Sequence, residues 1–251
     1  MSNYVIIIMV IIMKRVIIGI VGFPTKDNED YNVVALYEDY KKMVVKKNCI
    51  PFIIPPIQNI NYINTKIDKI PPLTEKEMDM YREMVDMCDG ILLPGGSRMY
   101  SYYKFIINYA IEKDIPILGT CLGMQILACM DNEDYCLEKN IDDNHKQSGV
   151  KYAHKIKIIN NTLLSKILDV KEIEVNSCHS YHITHLNKYI ISAYSKDGLI
   201  EAIELPEKDF VIGVQWHPEK MIKYDKNNKK LISAFIGKCK KYKQRKKRDN
   251  K

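Results

Sequence analysis

Residues 117–125 read ILGTCLGMQ, and Cys121 stands two residues from a glycine on either side, Gly119 and Gly123. The apolar run before it reads as a short buried strand, and LGMQILACM after it reads as the first turns of a helix. A strand that turns sharply into a helix crowds the residue at the bend. Glycines two positions away relieve the crowding and let strand and helix approach closely. This is the logic of the G-x-S-x-G elbow with sulfur in place of oxygen. The bend also puts the thiol at a helix N-terminus, where free N–H groups and the positive dipole end favour a thiolate by roughly 0.3–1 kcal/mol. Such a cysteine is either a nucleophile or a core side chain in a βα turn, and its partners elsewhere in the chain decide which.

Two further constellations supply partners. FVIGVQWHPEK places His217 and Glu219 two apart immediately after a strand, with Pro218 fixing the backbone between them. Residues two apart in an extended segment point the same way, so Glu219 is expected to hold one ring nitrogen of His217 while the other faces a thiol. A Cys-His-acid set of this kind makes and discharges an acyl-thioester. Taken alone, the pair reads equally as a strand-end ion pair. LLPGG, residues 92–96, puts two successive glycines after a buried strand, where backbone N–H groups can approach a ligand as an oxyanion hole requires.

The elements that must position these residues follow from alternation. Short β-branched runs alternate with segments of helical period, the pattern of a parallel sheet covered by helices on both faces. VIIGIVG (16–22) reads as the first strand. VVALYEDYKKMVVKK reads as a helix with Val33, Leu36, Tyr37, Tyr40, Met43 and Val44 on one stripe. IPFIIPP is the next strand, 57–72 a loop, and Thr74 with Glu77 a capping box opening a helix to about Met87. DGILLPGG, a helix to about Lys113 and the elbow come next, and then an acidic, irregular surface loop over 131–149. HKIKII, IEVNS, YIISAYS, LIEAIEL and FVIGVQW read as strands, the last two as a hairpin across PEKD. A final amphipathic helix starts near Asn228. No P-loop or G-x-G-x-x-G is present, so nucleotide binding has no support.

At 251 residues, 46% hydrophobic and 27% charged, the composition is that of an ordinary globular protein with one large α/β domain. Seven cysteines without C-x-x-C pairs exclude a zinc ribbon or a disulfide framework and fit a reducing, cytoplasmic setting. The net charge of +7 falls to −1 when residues 238–251, with nine Lys or Arg and one Asp, are set aside. That stretch reads as a frayed, solvated basic tail. At the other end, the apolar run from Tyr4 to Met13 is ten residues, half of the roughly 20 that a bilayer span takes. It lacks the charge order of a secretory signal. Residues 1–12 are therefore read as an extension, with the functional domain over 13–237 and translation starting at either Met1 or Met13.

Together GTCLGMQ, GVQWHPE and LLPGG, in the order oxyanion loop, nucleophile, histidine and acid, resemble the class I glutamine amidotransferase superfamily. NSCHSYHI (176–183) and DGLIEAIE (197–204) are similar to its γ-glutamyl hydrolase branch, which includes the γ-glutamyl-γ-aminobutyrate hydrolases. The resemblance runs from Lys14 to about Ile236. It implies a three-layer αβα sandwich with a mostly parallel, flavodoxin-like sheet. It makes Cys121 the nucleophile, His217 the general base and acid, and Glu219 its orienter. The oxyanion hole falls to the N–H groups of Gly96 and Leu122, and Gly95, Gln125 and His179 fall to the substrate pocket. Many of the aminobutyrate hydrolases carry an acidic D-V-D-P-like stretch after the glycines and an Arg-Asp pair soon after. Here SRMYSYYKF (97–105) stands instead, which bears on the leaving-group pocket rather than on the chemistry.

The activity implied is hydrolysis of a small γ-glutamyl amide, with no cofactor and no metal. Expected partners are that substrate and a second copy in a homodimer, without nucleic acid or a stable membrane span. A glutaminase subunit feeding ammonia to a synthetase is the second reading, and a non-catalytic binding protein the third. Cys178, His179, His182 and His185 lie close in sequence, but a strand running into a loop after IEVNS is expected to scatter them, so zinc there is not expected. The basic tail lacks any base-stacking or groove-reading motif, which removes a nucleic-acid module.

Overall fold

The computed structural model describes residues 15–59, 69–131, 136–141 and 144–249. The extension over 1–12, Met13 and part of each of the two long loops lie outside them. Nine strands form the central sheet: β1 (Ile17–Val21), β4 (Ile50–Ile54), β5 (Gly90–Leu93), β6 (Ile117–Thr120), β8 (His154–Ile158), β9 (Glu172–Val175), β11 (Ile190–Ser195), β12 (Ile200–Glu204) and β13 (Val211–Val214). Their order is β4-β1-β5-β6-β13-β12-β11-β8-β9. The first five are mutually parallel. Counted among themselves in chain order they run 2-1-3-4-5, the flavodoxin-like winding. From β13 outward each pairing is antiparallel, and β12 and β8 alone run against the rest. The sheet is therefore mostly parallel in strand direction, and the β12–β13 hairpin is present as expected.

Helices cover both faces, as the burial on both sides of the parallel strands requires. On one face α1 (Glu38–Lys46), α5 (Leu163–Leu168) and α7 (Lys226–Asp249) pack Tyr40, Leu164 and Phe235 against Ile18, Ile156 and Ile212. On the other, α2 (Glu75–Asp86), α3 (Ser101–Glu112) and α4 (Leu122–Asp131) pack Tyr81, Tyr102 and Met124 against Ile91, Ile117 and Ile203. The Thr74–Glu77 capping box opens α2 as expected. The C-terminal helix is preceded by a single turn, α6 (Pro218–Met221). None of the helices of the described residues is long and apolar enough to cross a membrane.

Three expectations are corrected. The helix read from Val33 starts only at Glu38, and Tyr37 is exposed. Val33 and Val34 instead belong to β3 (Asn32–Ala35), paired with β2 (Phe23–Lys26). Asp27 fixes the turn between them by accepting the N–H groups of Glu29 and Tyr31, both at 2.9 Å, and β-branched residues then pair rather than coil. The loop over 131–149 is not wholly irregular, because it contains β7 (Leu137–Lys139), antiparallel to β10 (Tyr181–Ile183). The stretch read as a solvated tail is the second half of α7. Cys239 is fully buried and Lys243 reaches Asp89 at 2.6 Å. Lys246, Lys247 and Arg248 in the last turn suit the negative end of the helix.

Candidate active site

β5, β6 and β13 are adjacent and parallel, so whatever follows their C-terminal ends is gathered within about two strand spacings, ~10 Å. Leu93 is level with Gly119, and Val214 with Thr120. Gly95-Gly96, Cys121 and His217 are the residues that follow, at the edge where open α/β sheets bind ligands.

The turn from β6 into α4 is as tight as the sequence implied. Cys121 takes φ +51°, the left-handed region, which costs a non-glycine residue about 1–2 kcal/mol. Its neighbours hold it there: the Cys121 N–H donates to the Val214 carbonyl at 2.8 Å, and its carbonyl accepts from Met124 and Gln125 at 3.1 and 3.2 Å. A Cβ on Gly119 would come within 2.7 Å of the Gly123 backbone, and one on Gly123 would overlap the Leu93 carbonyl. The thiol is almost covered, with Sγ 3.9 Å from the Cys178 carbonyl.

His217 and Glu219 meet by another route than the one expected. The segment does not stay extended: His217 precedes α6, and Glu219 lies in its first turn. His217 Nδ1 is 2.7 Å from Glu219 Oε1, a carboxylate with 1% of its side chain exposed. Burial of His217 opposes its charge, but Glu219 and then Cys121 outweigh it and hold the ring up to about 10. The imidazole therefore has a buried carboxylate at Nδ1 and lies near Cys121, since a Cβ on Gly95 would reach both His217 Cε1 and Cys121 Cβ. Asn176 clamps the backbone, accepting the His217 N–H at 2.8 Å and donating to its carbonyl at 3.1 Å.

Gly95 and Gly96 sit against these groups. A Cβ on Gly95 would stand 2.8 Å from His217 Cε1, and one on Gly96 would stand 3.0 Å from Leu122 Cδ2. The Gly95 N–H is taken by the buried Tyr40 hydroxyl at 2.8 Å, and that hydroxyl also meets Thr120 Oγ1 at 2.5 Å. Beside Gly96 and Leu122 opens a cavity of about 310 Å³, walled by Phe23, Lys26, Arg98 and Tyr100 among others.

The two remaining expected pocket residues are turned elsewhere. Gln125 is buried, and its amide nitrogen donates to the Tyr181 carbonyl at 2.9 Å and to Gln215 Oε1 at 3.1 Å. His179 is buried with Nδ1 on the Tyr181 carbonyl at 3.0 Å and Nε2 directed at Glu201.

Family likeness agrees with this geometry. The peptidase C26 family matches residues 100–219, from just before α3 to Glu219. A glutamine amidotransferase-like protein of Rickettsia prowazekii is 32% identical over 218 residues, 60% of this chain and 77% of that protein. The chain belongs to the glutamine amidotransferase-like family. The γ-glutamyl-γ-aminobutyrate hydrolase PuuD of Escherichia coli is 26% identical over 194 residues, 65% of this chain and 76% of that enzyme. The CTP synthase of Methanopyrus kandleri is 31% identical over 169 residues, 55% of this chain but 32% of that enzyme, so the chain spans about a third of its length. In fold, the glutaminase domain of Trypanosoma brucei CTP synthase with bound acivicin superposes with a TM-score of 0.61, at 19% identity, over 89% of this chain and 94% of that one.

The chain also holds site residues that the sequence does not mark. Asn176 is there only part of a motif and Tyr40 only one member of an apolar stripe, and nothing in the spacing of His145, His154 and Glu201 links them. His182 and His185 do scatter: His182 Nδ1 meets Asn140 Oδ1 at 3.0 Å and His185 meets Thr184. His179, however, finds partners far away in sequence.

Proposed function

We propose that this chain hydrolyses the γ-glutamyl amide bond of a small compound through a thioester on Cys121, releasing glutamate. The observation that carries the reading is Cys121 held at φ +51° at the end of β6, near an imidazole whose Nδ1 is 2.7 Å from a buried carboxylate. In this reading His217 takes the Cys121 proton and Glu219 steadies the imidazolium. The thiolate then attacks the δ-carbonyl carbon of the γ-glutamyl group, and the oxyanion that forms is met by the N–H groups of Gly96 and Leu122. Leu122 is the first residue of α4, where N–H groups have no partner within the helix. His217 next gives its proton to the departing amine, and a water deprotonated by the same ring cleaves the thioester. Gly95 is required to be small by the His217 ring, and Gln125 and His179 serve the pocket by fixing the 177–183 loop rather than by touching substrate.

The cavity beside Gly96 and Leu122 supports a leaving group larger than ammonia, and Lys26 and Arg98 in its wall favour one that carries an acid. The homodimer and the cytoplasmic setting belong to the same reading, with a domain that starts near Met13 and, because α7 packs as far as Lys243, runs past residue 237. The test is glutamate release from glutamine and from a panel of γ-glutamyl amides, with Cys121→Ala as control. Turnover of the amides, abolished by Cys121→Ala, is expected. The likeness to CTP synthase favours a second reading, a glutaminase that hands ammonia to a synthetase. Turnover of glutamine with refusal of the larger amides would put it first. A Cys121 that no substrate or glutamine-analogue electrophile acylates would leave a binding protein.

A further inference from the structure

Behind the nucleophile, on the side of the 177–183 loop, three segments distant in sequence bring their polar side chains to one point. The stretches 145–147 and 177–179 run side by side: the His179 N–H donates to the His145 carbonyl at 2.8 Å, the Gln147 N–H to the Ser177 carbonyl at 3.0 Å, and Lys146 bridges Cys178. The rings of His145 and His179 therefore lie 4.8 Å apart, both over Glu201 of β12. His145, His179 and Glu201 are all buried, and one ligating atom from each lies within 4.8 Å of the others.

The outer hydrogen bonds fix the tautomers. His179 Nδ1 faces the Tyr181 carbonyl at 3.0 Å, and a carbonyl only accepts, so that nitrogen carries the hydrogen. His145 Nε2 faces Asp197 Oδ2 at 2.8 Å, so it too is the donor. In the neutral rings the inner atoms, His145 Nδ1 and His179 Nε2, then carry lone pairs. Both are buried without a hydrogen-bond partner, and both point at a carboxylate. Lone pairs converging on an anion in a dry site require a cation between them, which is either ring protons or a metal ion.

Distance favours the second. An N–H···O bond spans about 2.7–3.2 Å. His145 Nδ1 and His179 Nε2 stand 3.4 and 3.7 Å from Glu201 Oε1, longer than that bond, though within the reach of an ion pair when the rings are protonated. Two ligands about 2.0–2.1 Å from one tetrahedral ion are roughly 3.3 Å from each other. His154 Nε2, at 3.1 Å from the same oxygen, is within hydrogen-bond reach and acts as a donor to it. The Asp197-to-His145 contact is the outer carboxylate that orients a ligating histidine, and the Tyr181 carbonyl does the same for His179.

We propose that His145 Nδ1, His179 Nε2 and Glu201 Oε1 bind one divalent transition-metal ion, zinc by the imidazole and carboxylate donor set. Its role is structural. It ties the 145–147 and 177–183 segments to β12, and with them the Cys178 carbonyl that faces Cys121 Sγ. The inference does not rest on the hydrolytic reading, and its readout is not turnover.

The test uses the full chain as Cys121→Ser, so that no zinc is held by the thiolate, purified without a metal-affinity step. Elemental analysis is expected to give close to one zinc per chain. Glu201→Gln and a His145→Ala/His179→Ala double variant are expected to lose it. If those variants fail to fold, chelator-stripped Cys121→Ser protein titrated with cobalt(II) is expected to develop visible d–d absorption that saturates at one equivalent. Folded Cys121→Ser protein that is metal-free and gives no such absorption would overturn the proposal. So would a double variant that keeps its zinc. Stoichiometric iron or copper in place of zinc would keep the site and overturn the identity of the ion.

Discussion

Glu219→Gln keeps the shape of the acid and removes its charge, so it isolates what the carboxylate does for His217. Burial opposes the charge on the ring, and Glu219 and Cys121 together raise it above its usual range. A hydrogen bond to a charged group contributes about 1.5–3 kcal/mol, so roughly that much is lost in any step where the imidazolium forms. That is a fall of roughly 10- to 150-fold in kcat/KM. It is smaller than the loss for Cys121→Ala, because a thiol at a helix N-terminus ionises with less help than a serine needs. The assay is kcat/KM for glutamate release from a γ-glutamyl amide, beside the thermal melt. Glu219→Asp, which keeps a carboxylate, is expected to recover part of the loss. Unchanged kinetics in Glu219→Gln with an intact melt would refute the reasoning and make the 2.7 Å contact a packing feature.

Three other outcomes are expected. Gly123→Ala sets a Cβ on the Leu93 carbonyl, so it is expected to cost more than 3 kcal/mol or prevent folding, whereas Gly237→Ala, in open space, is expected to gain about 0.5–1 kcal/mol. Equal melts for the two would show that the elbow yields. Lys243→Met removes the cation from Asp89, which is 3% exposed and also accepts the Ile17 N–H at 2.8 Å. Stability in urea is expected to fall by about 3–5 kcal/mol with kcat/KM unchanged, and deletion of 238–251 to fall further because buried Cys239 goes with it; a truncated chain as stable as the full one would return α7 beyond Gly237 to a solvated tail. Because the folded His217 is raised above its unfolded value, its contribution to stability is complete below about 6.5 and is lost as pH rises through about 10. The wild-type melt is thus expected to decline more steeply over that window than that of His217→Gln, and parallel slopes would refute the assignment.

What was legible in the sequence was whatever repeats at a fixed period or needs a special residue. β1, β4, β5, β6 and β13 are short apolar runs with glycine or proline in or near them, and the two glycines around Cys121 and the proline after His217 signal a turn. Phase mattered more than charge in α7: Ile232, Phe235, Ile236 and Cys239 are spaced three and four apart and all buried, so the stripe runs on into the stretch whose lysines suggested a tail. The β2–β3 hairpin was missed because its cause is a single side chain, Asp27, bonding to backbone two and four residues on. His145, His154 and Glu201, and their meeting with His179, were missed because these residues come from segments with no common period, and the pairing of 145–147 with 177–179 brings two of those segments together.

One segment joins the two polar centres. In NSCHSYHI, Asn176 clamps the His217 backbone, the Cys178 carbonyl faces the thiol, the Tyr181 carbonyl takes the Gln125 amide, and His179 between them turns to Glu201. An unpaired group among these would cost about 1–3 kcal/mol and would also move the wall of the nucleophile. The resemblance to a hydrolase placed His179 in a substrate pocket. In the structure its Nδ1 meets the Tyr181 carbonyl and its Nε2 points at Glu201, so His179→Ala is expected to shift the position of Cys178 and Tyr181. Its loss of kcat/KM would then be shared by Glu201→Gln, which removes the opposite partner. A loss confined to His179→Ala, with KM rising and Glu201→Gln kinetically silent, would return His179 to the substrate.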